Sequence, residues 1–126
     1  MSAGGVERFT DGDHVGMDVA GGGNAGDAVQ VTGEREVTVV ATQDADVDGV
    51  LGNDAAAGER VRVDLGGITE FSVADGTSAG VNLTASATAG QMRELNTSGQ
   101  TGESAQTKTY KTITAEANGT AMVRFG

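Results

Sequence analysis

The chain has no cysteine, so a disulfide framework, a zinc-finger type of site and thiol chemistry are all excluded. It has one histidine, His14, so any Ser-His-Asp triad or hydrolytic metal centre would hang on a single residue. Tryptophan is absent, and three Phe and one Tyr are the whole aromatic complement. Little material exists to line a catalytic pocket or to stack against a sugar. Bases are scarce: 8 Lys and Arg face 18 Asp and Glu, for a net charge of −10, and Lys108 and Lys111 are the only lysines. A field this negative repels phosphate backbones and anionic membrane surfaces, so neither nucleic acid nor membrane is an expected partner. No apolar run approaches the roughly 20 residues of a membrane helix. The opening "MSAGGVERF" lacks the charged-then-apolar pattern of a signal peptide. A soluble product that is not exported by a classical signal is expected.

What is present fits one small domain of 126 residues. Val, Ile, Leu and Phe together number 24, about a fifth of the chain. That share, at this charge, lies near the boundary of intrinsic disorder. Many acids, few lysines and many small residues are also the habit of proteins from salt-loaded halophilic cells. Molar salt would screen the self-repulsion and strengthen apolar burial, and contacts with partners would complete a thin core.

Strand signals dominate the chain. "HVGMDVA" puts Val15, Met17 and Val19 on one face, "AVQVT" does so with Val29 and Val31, and "EVTVVA" with Val37 and Val39. In "RVRVDLGG", Val61, Val63 and Leu65 alternate with Arg60, Arg62 and Asp64. "EFSVAD" offers Phe71 and Val73, "GVNLTA" offers Val81 and Leu83, and "AMVRFG" offers Val123 and Phe125. Period-two alternation between Gly, Asn and Asp punctuation predicts about seven short strands. The expected fold is all-β, a small barrel or sandwich with one or two short helices. The helix candidates are "TAGQMRELN" and "TITAEAN". "NTSGQTGESAQTKT" reads as a long polar loop. Residues 1–11 read as a flexible N-terminal arm, and residues 12–126 as one β domain. An Ala-Gly pair precedes an alternating stretch three times, at Ala25-Gly26, Ala57-Gly58 and Ala79-Gly80. The glycine allows a tight turn into the strand, and three such turns fall short of a solenoid repeat.

Motifs that carry chemistry are nearly missing. His14 sits beside Asp11 and Asp13 and reads as a surface or strand-edge residue. There is no G-x-S-x-G elbow. "GGGNAG" at Gly21–Gly26 lacks the lysine of a phosphate loop and reads as a hairpin connection. Carboxylate pairs for acid–base work need a pocket that sets their pKa values apart, and a thin, aromatic-poor core supplies none. No enzyme activity, no catalytic residue, no cofactor and no metal site are expected. Three N-x-S/T sequons, at Asn82, Asn96 and Asn118, have meaning only if the chain meets a glycosylation system. "DADVDG" at Asp44–Gly49 opens like a calcium loop, with Asp44, Asp46 and Asp48 at every second residue. The position of the bidentate Glu of an EF-hand falls on Ala55, and no exiting helix follows, so this is not an EF-hand. Calcium on a β loop remains one reading; an acidic chain placing its carboxylates in solvent is the other.

The segment Asp48–Phe71, "DGVLGNDAAAGERVRVDLGGITEF", resembles a phrase of small capsid decoration (cement) proteins of tailed viruses. Its pieces are Gly49-Val50, the spacer Asp54–Ala57, Gly58-Glu59, the strand residues Val61 and Val63, and Gly67-Ile68. The turn Ala25-Gly26-Asp27 with Val29 and Val31, the later Ala79-Gly80, and the closing "ITAEANGTAMVRFG" follow in the family's order. The resemblance spans roughly Gly12 to Gly126 and rests on turn and strand patterns. "GEREVTVVATQDADVD" is more elaborate than the family's usual link, and the loop Gly99–Thr109 is unusually polar.

The resemblance implies a non-enzymatic virion protein, and with the charge pattern it implies a tailed virus of haloarchaea. Such proteins are assembled in the host cytoplasm, sit on the outer capsid surface, often as homotrimers at threefold positions, and bind the major capsid protein against internal DNA pressure. An N-terminal arm often adds a strand to a capsid loop, drawing affinity from main-chain hydrogen bonds. Val6, Arg8 and Phe9 are the expected capsid contacts of that arm, with Val6 and Phe9 as apolar anchors. The alternatives are another virion β module (tail tube, fibre or turret) and a calcium- or carbohydrate-binding β-sandwich.

Overall fold

A computed structural model describes residues 14–95 and 108–126. The described chain is all-β and contains no helix. Ten strands run in order: β1 (His14–Ala20), β2 (Ala28–Gly33), β3 (Glu36–Val39), β4 (Gly49–Leu51), β5 (Glu59–Asp64), β6 (Gly67–Ser72), β7 (Leu83–Ala85), β8 (Met92–Glu94), β9 (Tyr110–Thr112) and β10 (Thr120–Phe125). The first five close into a barrel in the order β1-β3-β2-β4-β5. Strands β6, β10 and β9 form a three-stranded antiparallel sheet, and β7 and β8 a two-stranded ribbon.

The alternating sequences find their faces as the periodicity predicts. Val19, Val29, Val37, Leu51 and Val63 fill the barrel interior, with Met17, Val39, Val61 and Leu65 packed against them. A second, larger core lies between the barrel and the small sheets. It gathers Ala28, Val47 and Val50 from the barrel side, and Phe71, Val73, Leu83, Met92, Tyr110, Val123 and Phe125 from the other. Strand β4 and the start of β2 are therefore buried on both faces: Ala28 and Val50 point outward into the second core, Val29 and Leu51 inward. Val31 departs from the expected pattern. It lies at the outer end of β2 and is exposed, where its N–H donates to Asp48 Oδ2 at 2.8 Å.

Three expectations change. "TAGQMRELN" forms no helix: Gly90 takes φ +75°, and Met92–Glu94 pairs with Leu83–Ala85 as β8. Among the described residues of that stretch only Gly90 and Met92 are buried, so cross-strand hydrogen bonds and one core side chain outweigh local helix propensity. "TITAEAN" is a turn. Glu116 accepts the N–H groups of Gly76 (3.0 Å) and Gly119 (2.7 Å), and Asn118 and Gly119 both take positive φ. "GGGNAG" joins β1 to β2, which are not neighbours. Strand β3 lies between them, parallel to β1 and antiparallel to β2. The three Ala-Gly turns do share a conformation: Gly26, Gly58 and Gly80 have φ of +92°, +79° and +77°, a region that disfavours any Cβ.

Gly49 has a different constraint. A Cβ there would run into the carbonyl oxygen of Asp64 on the neighbouring β5, with Leu65 Cδ2 at 3.0 Å and Val63 Cγ1 at 3.2 Å behind it. Backbone cannot yield as a flexible side chain does. Gly49→Ala is expected to cost about 1–3 kcal/mol by forcing β4 away from β5. A urea titration would read the shift in midpoint. An unchanged midpoint would mean that β4 does not close the barrel as described.

Candidate functional site

The stretch Asp44–Gly49 forms a seam between the two cores. Asp44 takes φ +62°, and its N–H donates to the Ala85 carbonyl at 3.0 Å. Its Oδ1 accepts Arg93 Nη2 at 3.0 Å and Thr84 Oγ1 at 3.1 Å. Val47 is fully buried, and its carbonyl accepts the hydroxyl of Tyr110. Burial of that phenol, with the charges of Asp46 and Asp48 nearby, pushes its pKa far up, so Tyr110 stays a neutral donor. Asp48 N–H donates to Val29 O at 2.9 Å, and the Asp48 carbonyl accepts Lys108 Nζ at 2.6 Å. Lys108 also reaches Leu65 O at 2.7 Å. The carboxylates of Asp44 and Asp48 thus serve the fold. Among the described residues no group of three or more His, Cys, Asp or Glu side chains is arranged to hold a metal ion.

The three described aromatics stack on one another inside the second core. Phe71 meets Tyr110 edge-on at 5.7 Å and Phe125 edge-on at 5.1 Å, while Tyr110 and Phe125 stack at 5.3 Å. All three are buried. Among the described residues no aromatic face is exposed. His14 is exposed at the start of β1. An open cleft of about 570 Å³ is walled by Gly21, Gly22, Gly23, Asn24, Asp27, Val39 and small alanines.

Asp27 borders that cleft, and its Oδ2 accepts the Asn24 N–H at 2.9 Å. Burial raises its pKa above the ordinary carboxylate value of 3.8; the Asn24 bond opposes the rise and the charge of Asp54 adds to it. A raised folded-state pKa means that protonation favours the fold. The contribution is complete below pH 3.8 and is lost as pH rises through the folded value. At neutral pH the ionised Asp27 is therefore a liability. Asp27→Asn keeps an acceptor for Asn24 and is expected to raise the melting temperature at pH 7, with the gain vanishing toward pH 3.8 and below. Melting curves of both chains across that range check the sign; equal curves at pH 7 would refute it.

Val6, Arg8 and Phe9, the expected arm contacts, lie outside the described residues. The described chain begins in β1 at His14, whose register partner is Asp64 on β5, next to the turn into β6.

The outer face of the β6–β10–β9 sheet is a feature that no motif announces. In register across it stand Ile68 and Glu70 of β6, Met122 and Arg124 of β10, and Lys111 of β9, with Ile113 just past the end of β9. Their alternates Phe71, Ala121, Val123, Tyr110 and Phe125 face the core.

No family model matches the chain, and no curated protein sequence is significantly similar to it. The fold is similar to a solved one, the crystal structure of the head fiber gp8.5 N base in bacteriophage phi29. The two superpose with a TM-score of 0.64 over 90% of this chain and 93% of that one, at 12% sequence identity. At that identity the likeness establishes a shared fold, and it extends over nearly the whole of both chains.

Proposed function

We propose that the chain is a non-enzymatic structural protein of a virion, a decoration protein that binds the outer surface of the expanded capsid. The observation that carries this reading is the whole-chain likeness to the base of a phage head fiber. Fold alone does not fix function, so two further features matter. The three described aromatics are spent on the core. The order of turn and strand motifs resembles that of capsid decoration proteins. On this reading the partner is the major capsid protein, the chain acts as a homotrimer at threefold positions, and it stabilises the shell against internal DNA pressure. Val6, Arg8 and Phe9 of the arm add contacts by strand addition. The acidic composition fits a virus of haloarchaea.

A second reading is favoured by the same neighbour: the chain forms the base of a fibre that projects from the head. Quantitative mass spectrometry of purified particles separates the readings from a tail component. A decoration protein or head-fibre base is present in fixed ratio to the capsid subunit over much of the shell. A handful of copies per particle would refute both.

A further inference from the structure

The chain carries net charge −10, and among the described residues its few cations are mostly engaged within the fold. Arg60 pairs with Asp18, Arg62 with Asp64 and Arg93 with Asp44, while Lys108 is held by two carbonyls. The side chains of Lys111 and Arg124 have no such partner. They stand side by side in register on the outer face of the β6–β10–β9 sheet. Around them lie three of the four large apolar side chains that the described surface exposes, Ile68 (58%), Ile113 (49%) and Met122 (36%). Ile68, Lys111, Thr112, Ile113 and Arg124 line a shallow groove of about 330 Å³. Glu70 shares the face, but its Oε2 accepts the Thr120 hydroxyl at 2.9 Å.

A protein this acidic repels any acidic neighbour over most of its surface. Here the repulsion is locally reversed, and the reversal coincides with exposed apolar area on a sheet whose other face is core. Unpaired cations beside apolar side chains fit a partner that offers carboxylates around an apolar contact. We propose that this face docks on an acidic protein surface of the particle, with Ile68, Ile113 and Met122 as the apolar contact and Lys111 and Arg124 paired to the partner's carboxylates. The inference rests on the virion reading and names the face and the partner's chemistry, which that reading leaves open.

Lys111 makes the face directly readable, because the only other lysine, Lys108, is engaged by carbonyls. Purified particles are treated with a zero-length carbodiimide, which joins an amine only to a carboxylate in contact, and the cross-linked peptides are sequenced by mass spectrometry. The expected product joins Lys111 to an Asp or Glu of another virion protein. Coupling to residues 1–13 of this chain, or to a second copy of it, overturns the proposal by naming a different occupant. Lys111 left as reactive in the particle as in the free chain also overturns it, while the virion reading stands. Absence of the chain from particles overturns both. Arg124→Glu is then compared with Arg35→Glu, an equal charge change on an exposed turn, at the lowest salt that keeps the chain folded. Head binding is expected to weaken about tenfold or more for the first and less than about twofold for the second. Equal losses would leave net charge as the cause and refute the docking face. Both side chains are exposed, so the fold is expected to survive each change.

Discussion

Phe71→Ala is expected to destabilise the chain by about 3–5 kcal/mol, the largest effect of any single substitution considered. The ring is fully buried and touches both other described aromatics, at 5.7 and 5.1 Å between centroids. Strand β6 contributes it to the second core, opposite Ala121 of β10. No neighbouring element can collapse into the space, because Tyr110 is pinned by its hydrogen bond to Val47 and Phe125 is fixed in register with Gly67. A small domain has on the order of 5–15 kcal/mol in all. With so few large apolar residues this chain stands toward the lower end. A fall of roughly 10–20 °C in melting temperature is expected at constant salt. Ile68→Ala, on the outer face of the same strand, is expected to stay within about 0.5 kcal/mol. Similar melts for the two would mean that the second core is not where the chain holds together.

Removal of residues 2–10 is expected to abolish stable attachment to capsids and to leave the melting temperature unchanged. The second half rests on the reading of residues 1–11 as an arm separate from the β domain. Among the described residues the first strand begins at His14, and the earliest residue packed in either core is Met17. The first half follows from the proposed strand addition, in which Val6 and Phe9 supply the apolar anchors and Arg8 a cation. Co-sedimentation with heads measures attachment, and circular dichroism measures the fold. Unchanged attachment would remove the arm from the interface and leave the sheet face to carry it. Lost attachment together with a lowered melting temperature would mean that these residues serve the fold.

Much of the barrel is legible because β1, β3 and β5 each present one apolar face to the barrel interior. Val61 and Val63 alternate with Arg60 and Arg62, and the pattern states both the strand and its buried side. Strand β4 was not legible: "GVL" is buried on both faces and shows no alternation. Strands β8 and β9, "MRE" and "YKT", are too short for a period and take their shape from the strands beside them. The parallel pairing of β1 with β3 depends on contacts between distant segments, so the glycine run that looked like a hairpin is a crossing connection. "DADVDG" looked like a calcium loop because it spaces acids as one. What the spacing hides is that Asp44 and Asp48 bond to Arg93, Thr84 and Val31, which lie elsewhere in the chain. The docking face was invisible for a similar reason. Ile68, Lys111, Ile113, Met122 and Arg124 come from three strands, and only the register of β6, β10 and β9 brings them onto one surface.

The central claim, that this fold clothes a capsid, is tested most directly by mixing. The purified chain is added in molar KCl to expanded empty heads of the virus whose genome carries it, the heads are sedimented, and bound copies are counted per capsid subunit. Saturation at a fixed whole-number ratio across the shell is the expected result. No binding, or a few copies per head, would contradict it and move the chain to a tail or turret.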